Sequence, residues 1–297
     1  MRRIAAVIAM IALPALAATA QVHGVEHVLI VGFDGLSPKG IEAADTPRFD
    51  ALVAAGAHTF EARAVMPTVS SPNWASMIMG AGPEQHGILG NEWPLPMARL
   101  KPVVDGPQGI FPTIFSILRE QRPESRIAVI HDWDGFGRLF QRKMVDVIIN
   151  GDLEDDTANQ AAKVLQEEKP TLTFIHFDHV DHALHSEGFM TEPYVAAVAK
   201  ADHLLGQVLD ALDSAGMTES TAIIVTADHG GKDKGHGGNS LDEYTIPWIL
   251  AGKGAATGKT ITDTVNTYDT AATAAYLLGL TPPQAWIGRP VLSALDN

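Results

Sequence analysis

The stretch His27-Val28-Leu29-Ile30-Val31-Gly32-Phe33-Asp34-Gly35 is an apolar, β-branched run that ends on a carboxylate set between two glycines. A run this short and this continuously apolar reads as a strand buried on both faces. Comparable runs recur at 126–131, 171–177, 221–226 and 246–250, and between them lie longer segments with helical spacing at 46–55, 72–79, 113–122, 157–168, 191–215 and 270–278. Strands alternating with helices predict an α/β fold: a mostly parallel central sheet with helices on both faces. In such sheets ligands gather beyond the carboxyl ends of the strands. Asp34 follows the first run directly, Asp181 lies just beyond 171–177 and Asp228 just beyond 221–226. A single aspartate after a strand is ordinarily a turn or helix cap. Three that share one sheet edge, two of them accompanied by histidines, point to a metal centre.

The segments around those carboxylates carry the rest of the chemistry. Met66-Pro67-Thr68-Val69-Ser70-Ser71-Pro72-Asn73-Trp74 offers hydroxyls at the start of a helix, with Pro72 suited to its first turn. There a helix dipole and a metal can lower the pKa of a hydroxyl and make it a nucleophile. Ser70, Ser71 and Thr68 all compete for that role. Pro83-Glu84-Gln85-His86-Gly87-Ile88-Leu89-Gly90-Asn91 is rich in turn residues, with Asn91 able to donate an amide N–H to a phosphoryl oxygen and His86 read as a structural residue of the loop. In His176-Phe177-Asp178-His179-Val180-Asp181-His182-Ala183-Leu184-His185, two registers have the i, i+4 spacing that lets an acid and an imidazole converge: Asp178 with His182, and Asp181 with His185. Asp228-His229 and His236 are embedded in glycine, which leaves open space above them. Hard oxygen donors mixed with imidazole suit two divalent cations, zinc first and manganese or iron as alternatives. A pair about 4 Å apart can clamp both ends of a displacement at phosphorus.

Residues 1–20 have the form of a secretory leader: Met1-Arg2-Arg3, an apolar stretch over 4–17, then Ala18-Thr19-Ala20 before Gln21. The expectation is a periplasmic or secreted protein beginning at Gln21, with no stable membrane insertion once the leader is removed, and one catalytic domain over 21–297. Losing two arginines and no acid takes Lys+Arg from 21 to 19 against 35 Asp+Glu, so the net charge moves from −14 to −16. That balance excludes nucleic acid as the main partner. The absence of cysteine excludes disulfides and thiolate ligands, so stability falls to the core, for which 46% hydrophobic residues are ample.

These motifs resemble the alkaline phosphatase superfamily, and within it the type I phosphodiesterase/nucleotide pyrophosphatase branch. The likeness covers nearly all of the chain after the leader. It rests on Asp34, on Ser70-Ser71-Pro72-Asn73, on Pro83 to Asn91, on Asp181-His182-Ala183-Leu184-His185-Ser186-Glu187-Gly188, on Asp228-His229-Gly230, and on a closing segment from Tyr268-Asp269-Thr270 to Leu278-Gly279. The resemblance selects the Asp181/His185 register. It implies that one metal takes Asp181, His185 and His236, and the other Asp34, Asp228, His229 and the Ser70 oxygen. It further implies hydrolysis of a small-molecule phosphate ester through a phosphoseryl intermediate on Ser70, with Asn91 and the Ser71 backbone N–H binding transition-state oxygens. Leu184 stands where the family has glycine, and Ser70 where many members have threonine. His229 and His236 are separated by six residues, with no room for the cap that larger members insert there. Phosphomonoester hydrolysis, with Arg63, Lys232 and Lys234 as extra cationic contacts, is the alternative. A sulfatase is disfavoured because Trp74 occupies the place of that signature's arginine and no cysteine is present, and a non-catalytic metal- or phosphate-binding protein because the ligand sets are complete and Ser70 is intact.

Overall fold

A computed structural model describes residues 22–93 and 100–296. The leader and the cleavage point before Gln21 lie outside the described residues. The strands are β1 (His27–Phe33), β2 (Ala57–Arg63), β3 (Ile127–His131), β4 (Val147–Asn150), β5 (Leu172–Phe177), β6 (Thr221–Ala227), β7 (Thr245–Gly252) and β8 (Lys259–Thr260). They form one sheet in the order β4-β3-β5-β1-β6-β7-β2-β8. Every pair from β4 to β6 is parallel, β7 runs antiparallel to both of its neighbours, and β8 is parallel to β2. The sequence-predicted α/β sheet is thus observed, with three strands added. Helical spacing hid β2, which follows a helix after the single residue Gly56 and carries His58, Glu61 and Arg63. The four-residue β4 and the two-residue β8 lie on the edges and are too short to stand out in the sequence.

The helices are α1 (Pro38–Ala43), α2 (Pro47–Ala55), α3 (Ser70–Met79), α4 (Pro83–His86), α5 (Ile114–Gln121), α6 (Glu154–Glu168), α7 (His179–Glu187), α8 (Glu192–Ser214), α9 (Leu241–Tyr244) and α10 (Asp269–Leu277). One layer is organised by α8, on which α1, α2, α6 and α7 pack; α3, α4, α5 and α10 form the other. Consecutive residues of β1 show the two faces, as strand alternation requires. The Phe33 ring packs on Phe49 of α2 with centroids 5.7 Å apart, whereas a Cβ on Gly32 would fall 2.5 Å from the Trp74 ring of α3. Covered on both sides, β5 and β6 are buried throughout, and each large side chain in this sandwich contributes about 1.5–3 kcal/mol through burial. The carboxyl ends of β5, β1 and β6 therefore converge on a rigid part of the molecule.

Candidate metal centre

Three adjacent strand ends supply the carboxylates. Asp34 follows β1, and its backbone N–H extends the ladder by donating to Phe177 O at 2.8 Å. Gly35 turns the chain at φ 69°, and a Cβ there would sit 2.9 Å from Asp181 Cα, so glycine is what allows the two carboxylates to approach. Asp181 lies in the first turn of α7 with His185 one turn later, while Asp228 and His229 follow β6 directly.

Two ligand groups result. Asp181, His185 and His236 present ligand atoms within 4.8 Å of one another, as do Asp34, Asp228 and His229. Ser70 joins the second group, its Oγ 3.2 Å from His229 Nε2. The structure thus brings together all the acids and imidazoles picked out as ligands, in the Asp181/His185 register. His182 points away and is exposed, and Asp178 belongs to a neighbouring group with Asp34 and His176.

The imidazoles are oriented for a cation. His185 Nδ1 lies 3.1 Å from Lys234 O, His229 Nδ1 2.9 Å from Gly230 O and His236 Nδ1 2.8 Å from Thr68 O. A carbonyl only accepts, so each Nδ1 carries a proton and each ring turns its Nε2 inward, the arrangement typical of metal-ligating histidines. Two of these, His185 Nε2 and His236 Nε2, stand 3.1 Å apart. Two lone pairs at that distance require a cation between or beside them, either a proton or a metal ion. The carboxylates are equally expectant: Asp34 Oδ1, Asp181 Oδ1 and Asp228 Oδ2 are buried without a hydrogen-bond donor. Unpaired buried carboxylate oxygens are costly in a finished core. The donor set fits two divalent cations.

Charge in the cluster is strongly perturbed. Burial, then the charges of Asp34 and Asp181, push Asp228 well above the ordinary carboxylate range. For Asp34 burial acts in the same upward sense but is outweighed by His176 and His229, which hold it at about 2. Asp181 raises His185 to about 9 against its burial, whereas burial and the stacked His236 ring keep His229 low.

The nucleophile segment is held by its own residues. Ser70 is the first residue of α3, with Val69 rather than a serine in the capping position. Asn73 accepts from Val65 N at 2.6 Å and donates Nδ2 to Pro67 O and Val69 O, clasping the loop that presents Ser70. Asn91 Oδ1 accepts from Ser71 N at 2.8 Å. The Ser71 N–H, which the resemblance assigned to substrate, is therefore engaged in fixing Asn91, whose Nδ2 meets no acceptor among the described residues. His86 ties the loop to α3, its Nε2 3.0 Å from Ser76 Oγ and its Nδ1 accepting from Ile88 N at 3.1 Å.

Several supporting residues were not evident in the sequence. Trp74 Nε1 donates to Asp34 Oδ2 at 2.9 Å; its place one turn after Ser70 on the same helix was the available signal. His176 is fully buried with Nε2 3.4 Å from Asp34 Oδ2 and Nδ1 3.6 Å from Asp132 Oδ1. Thr68 Oγ1 donates to Gly238 O at 2.8 Å and accepts from Gly237 N at 3.1 Å. Glu243 accepts from Gly238 N and from both N–H and O–H of Ser240. These ties order the short loop carrying His236. Leu184, the departure from the family glycine, packs against Gly231, where a Cβ would lie 1.9 Å from Leu184 Cδ1. The Lys234 ammonium bonds Ser186 O at the end of α7.

The family model for type I phosphodiesterase / nucleotide pyrophosphatase matches residues 28–104 and 117–249. The chain belongs to that family. It is 24% identical over 194 residues to ectonucleotide pyrophosphatase/phosphodiesterase family member 1 of Rattus norvegicus, a match covering 62% of this chain but 21% of the relative. In structure it superposes on an inactive variant of murine ectonucleotide pyrophosphatase/phosphodiesterase 5, solved in complex with AMP. The TM-score is 0.72 at 15% identity, over 87% of this chain and 96% of that one. A 2-O GAG sulfatase superposes with TM-score 0.70 at 18% identity, over 89% and 73%. At these identities the superpositions establish the fold, the α/β architecture described above. Among the described residues no helix is long and apolar enough to cross a membrane.

Proposed function

We propose that this protein hydrolyses small-molecule phosphate esters, diesters first, with Ser70 as nucleophile. The observation that carries the reading is the convergence of three inward-facing Nε2 atoms and three donorless carboxylate oxygens around the Ser70 hydroxyl. Asp181, His185 and His236 would hold one divalent cation and Asp34, Asp228 and His229 the other, zinc being the first candidate for this donor set. When bound, such a pair supplies Lewis-acid polarisation at phosphorus and a lowered hydroxyl pKa.

The residues of the chain account for the rest. Ser70 sits where the N-terminal end of the α3 dipole favours a developing alkoxide. Its Oγ attacks phosphorus, the ester oxygen opposite departs, and a phosphoserine forms. Asn91, with its Oδ1 fixed by Ser71 N, turns Nδ2 toward a non-bridging oxygen whose charge grows in the transition state. Water then cleaves the phosphoserine, and two in-line displacements give retention at phosphorus. Trp74 in place of an arginine, spent on orienting Asp34, weighs against sulfate esters. The secretory form of residues 1–20 supports a periplasmic or extracellular site for this activity.

Matched phosphate diester, phosphate monoester and sulfate ester substrates, given to protein of measured metal content, test the assignment. The diester should turn over fastest. Ser70→Ala should lose several orders of magnitude in kcat, and acid quenching should trap phosphate on the peptide containing Ser70. Label on Ser71 or Thr68, or near-normal turnover by Ser70→Ala, would overturn it.

A further inference from the structure

A cavity of about 1160 Å³ opens on the same sheet edge as the metal centre, beyond the ends of β3 and β4. Arg138 and Arg142 both line it, and among the described residues their hydrogen bonds go only to main-chain carbonyls: Arg138 Nη2 to Asn91 O and Arg142 Nη1 to Gly137 O, each 3.3 Å. Neither meets a carboxylate among the described residues, whereas Arg48, Arg119 and Arg126 all do. Acids are not scarce in a chain with 35 of them against 21 lysines and arginines. Asp134 stands on the same cavity wall but accepts from Asn150 Nδ2 at 2.7 Å instead.

The cavity floor is built for a polar guest. His131 is buried, its Nδ1 proton lies on Trp133 O at 3.0 Å, and its Nε2 has no partner among the described residues. Gly137 leaves the space between this nitrogen and the guanidinium open: a Cβ there would lie 2.9 Å from His131 Nε2 and 3.5 Å from Arg142 Nη1. The cavity also adjoins the reacting centre, since Arg138 bonds the backbone of Asn91, whose side chain bonds Ser71.

We propose that this cavity receives the second arm of the diester substrate, and that this arm carries an oxyanion of its own, held by Arg138 and Arg142. The inference rests on the phosphodiesterase reading above and narrows it to doubly anionic esters. A hydroxyl or N–H on the arm donates to His131 Nε2. Trp93, two residues from Asn91, supplies an apolar wall.

Three 4-nitrophenyl aryl phosphates that differ only in the second arm test it: unsubstituted phenyl, 4-carboxyphenyl and 4-phosphonophenyl. Charge-assisted hydrogen bonds of this kind favour the charged arms roughly ten- to a hundredfold in kcat/KM, mostly through KM. Arg142→Gln should remove about tenfold of that preference and Arg138→Gln/Arg142→Gln nearly all of it. Gly137→Ala, which fills the space beside His131 Nε2, should also reduce it. Equal rates on all three esters, or a preference that survives the double substitution, overturns the proposal while leaving the hydrolase reading intact. Failure to cleave any of them instead contradicts the hydrolase reading. The cavity is then judged by calorimetric affinity for 4-carboxyphenyl phenyl phosphate against diphenyl phosphate, where no difference between wild type and the double variant refutes it.

Discussion

Asp228→Asn should stabilise the metal-free protein while abolishing its capacity to load and react. Asp228 is fully buried; its Oδ1 accepts from Gly35 N at 3.2 Å, and its Oδ2 faces His229 Nε2 at 3.1 Å without a hydrogen-bond donor. The Asp34 carboxylate lies within 4.8 Å. Two unit charges at that distance repel by about 3.5 kcal/mol at an effective dielectric of roughly 20. Burial and this repulsion raise the Asp228 pKa well above its ordinary 3.8. The sign follows: with the folded value above the unfolded one, the contribution to stability is complete below about pH 4 and lost as pH rises through the folded value. Near neutral pH the metal-free fold bears the penalty. Asparagine can keep its Oδ1 on Gly35 N and place Nδ2 where Oδ2 was, donating to the donorless Asp34 Oδ1 or to His229 Nε2. A gain of about 1–3 kcal/mol corresponds to a rise of roughly 2–10 °C in Tm for a domain of this size. Scanning calorimetry in chelator should show the variant above wild type near neutral pH, with the gap closing toward pH 4. With zinc the order should reverse, because only wild type retains the full ligand set. A variant that melts below wild type in chelator at neutral pH would refute the reasoning.

Metal analysis of active protein should find close to two transition-metal ions per chain, with activity lost to chelators and restored by zinc or manganese. Full activity after verified removal contradicts the two-cation reading. Asp181→Ala and His185→Ala should depress binding and turnover far more than Asp178→Ala and His182→Ala, and the opposite ranking would assign the wrong register. Thr68→Val removes both Oγ1 hydrogen bonds to the His236 loop, so competition against a chromogenic chelator should show about a tenfold weaker cation site; unchanged affinity would mean that Glu243 alone orders the loop. Mass spectrometry of exported protein should give Gln21 as the first residue, and an intact leader would favour an N-terminal anchor.

The parts of the fold legible in the sequence were those where both sheet faces are buried. β1, β5 and β6 are continuous apolar runs because helices cover them on both sides, and their bounds emerge almost unchanged. β2 carries polar residues at half-exposed and exposed positions and β4 is only four residues long, so neither stood out as a strand. The ligands were legible because acid, histidine and glycine cluster locally at strand ends. Their supports were not: Glu243 acts on Gly238 and Ser240 within its own segment, but Trp74 and Thr68 act across the fold on residues distant in sequence. The engaged Ser71 N–H was invisible for the same reason: its partner Asn91 arrives from a separate loop.

The place of β1 in the sheet also governs how the protein must assemble. The first strand in the sequence is flanked by β5 and β6, so residues 27–33 find both their neighbours only after about the first 227 residues are available. Such long-range parallel pairing makes for slow folding with a late commitment, because the entropy of closing large loops comes before the contacts that reward it. The early segment meanwhile exposes an apolar strand with unpaired edges. Pulse-labelled amide exchange during refolding should therefore find the β3–β4–β5 half protected first and β1 protected together with β6, so that the metal centre comes into being in the final cooperative step.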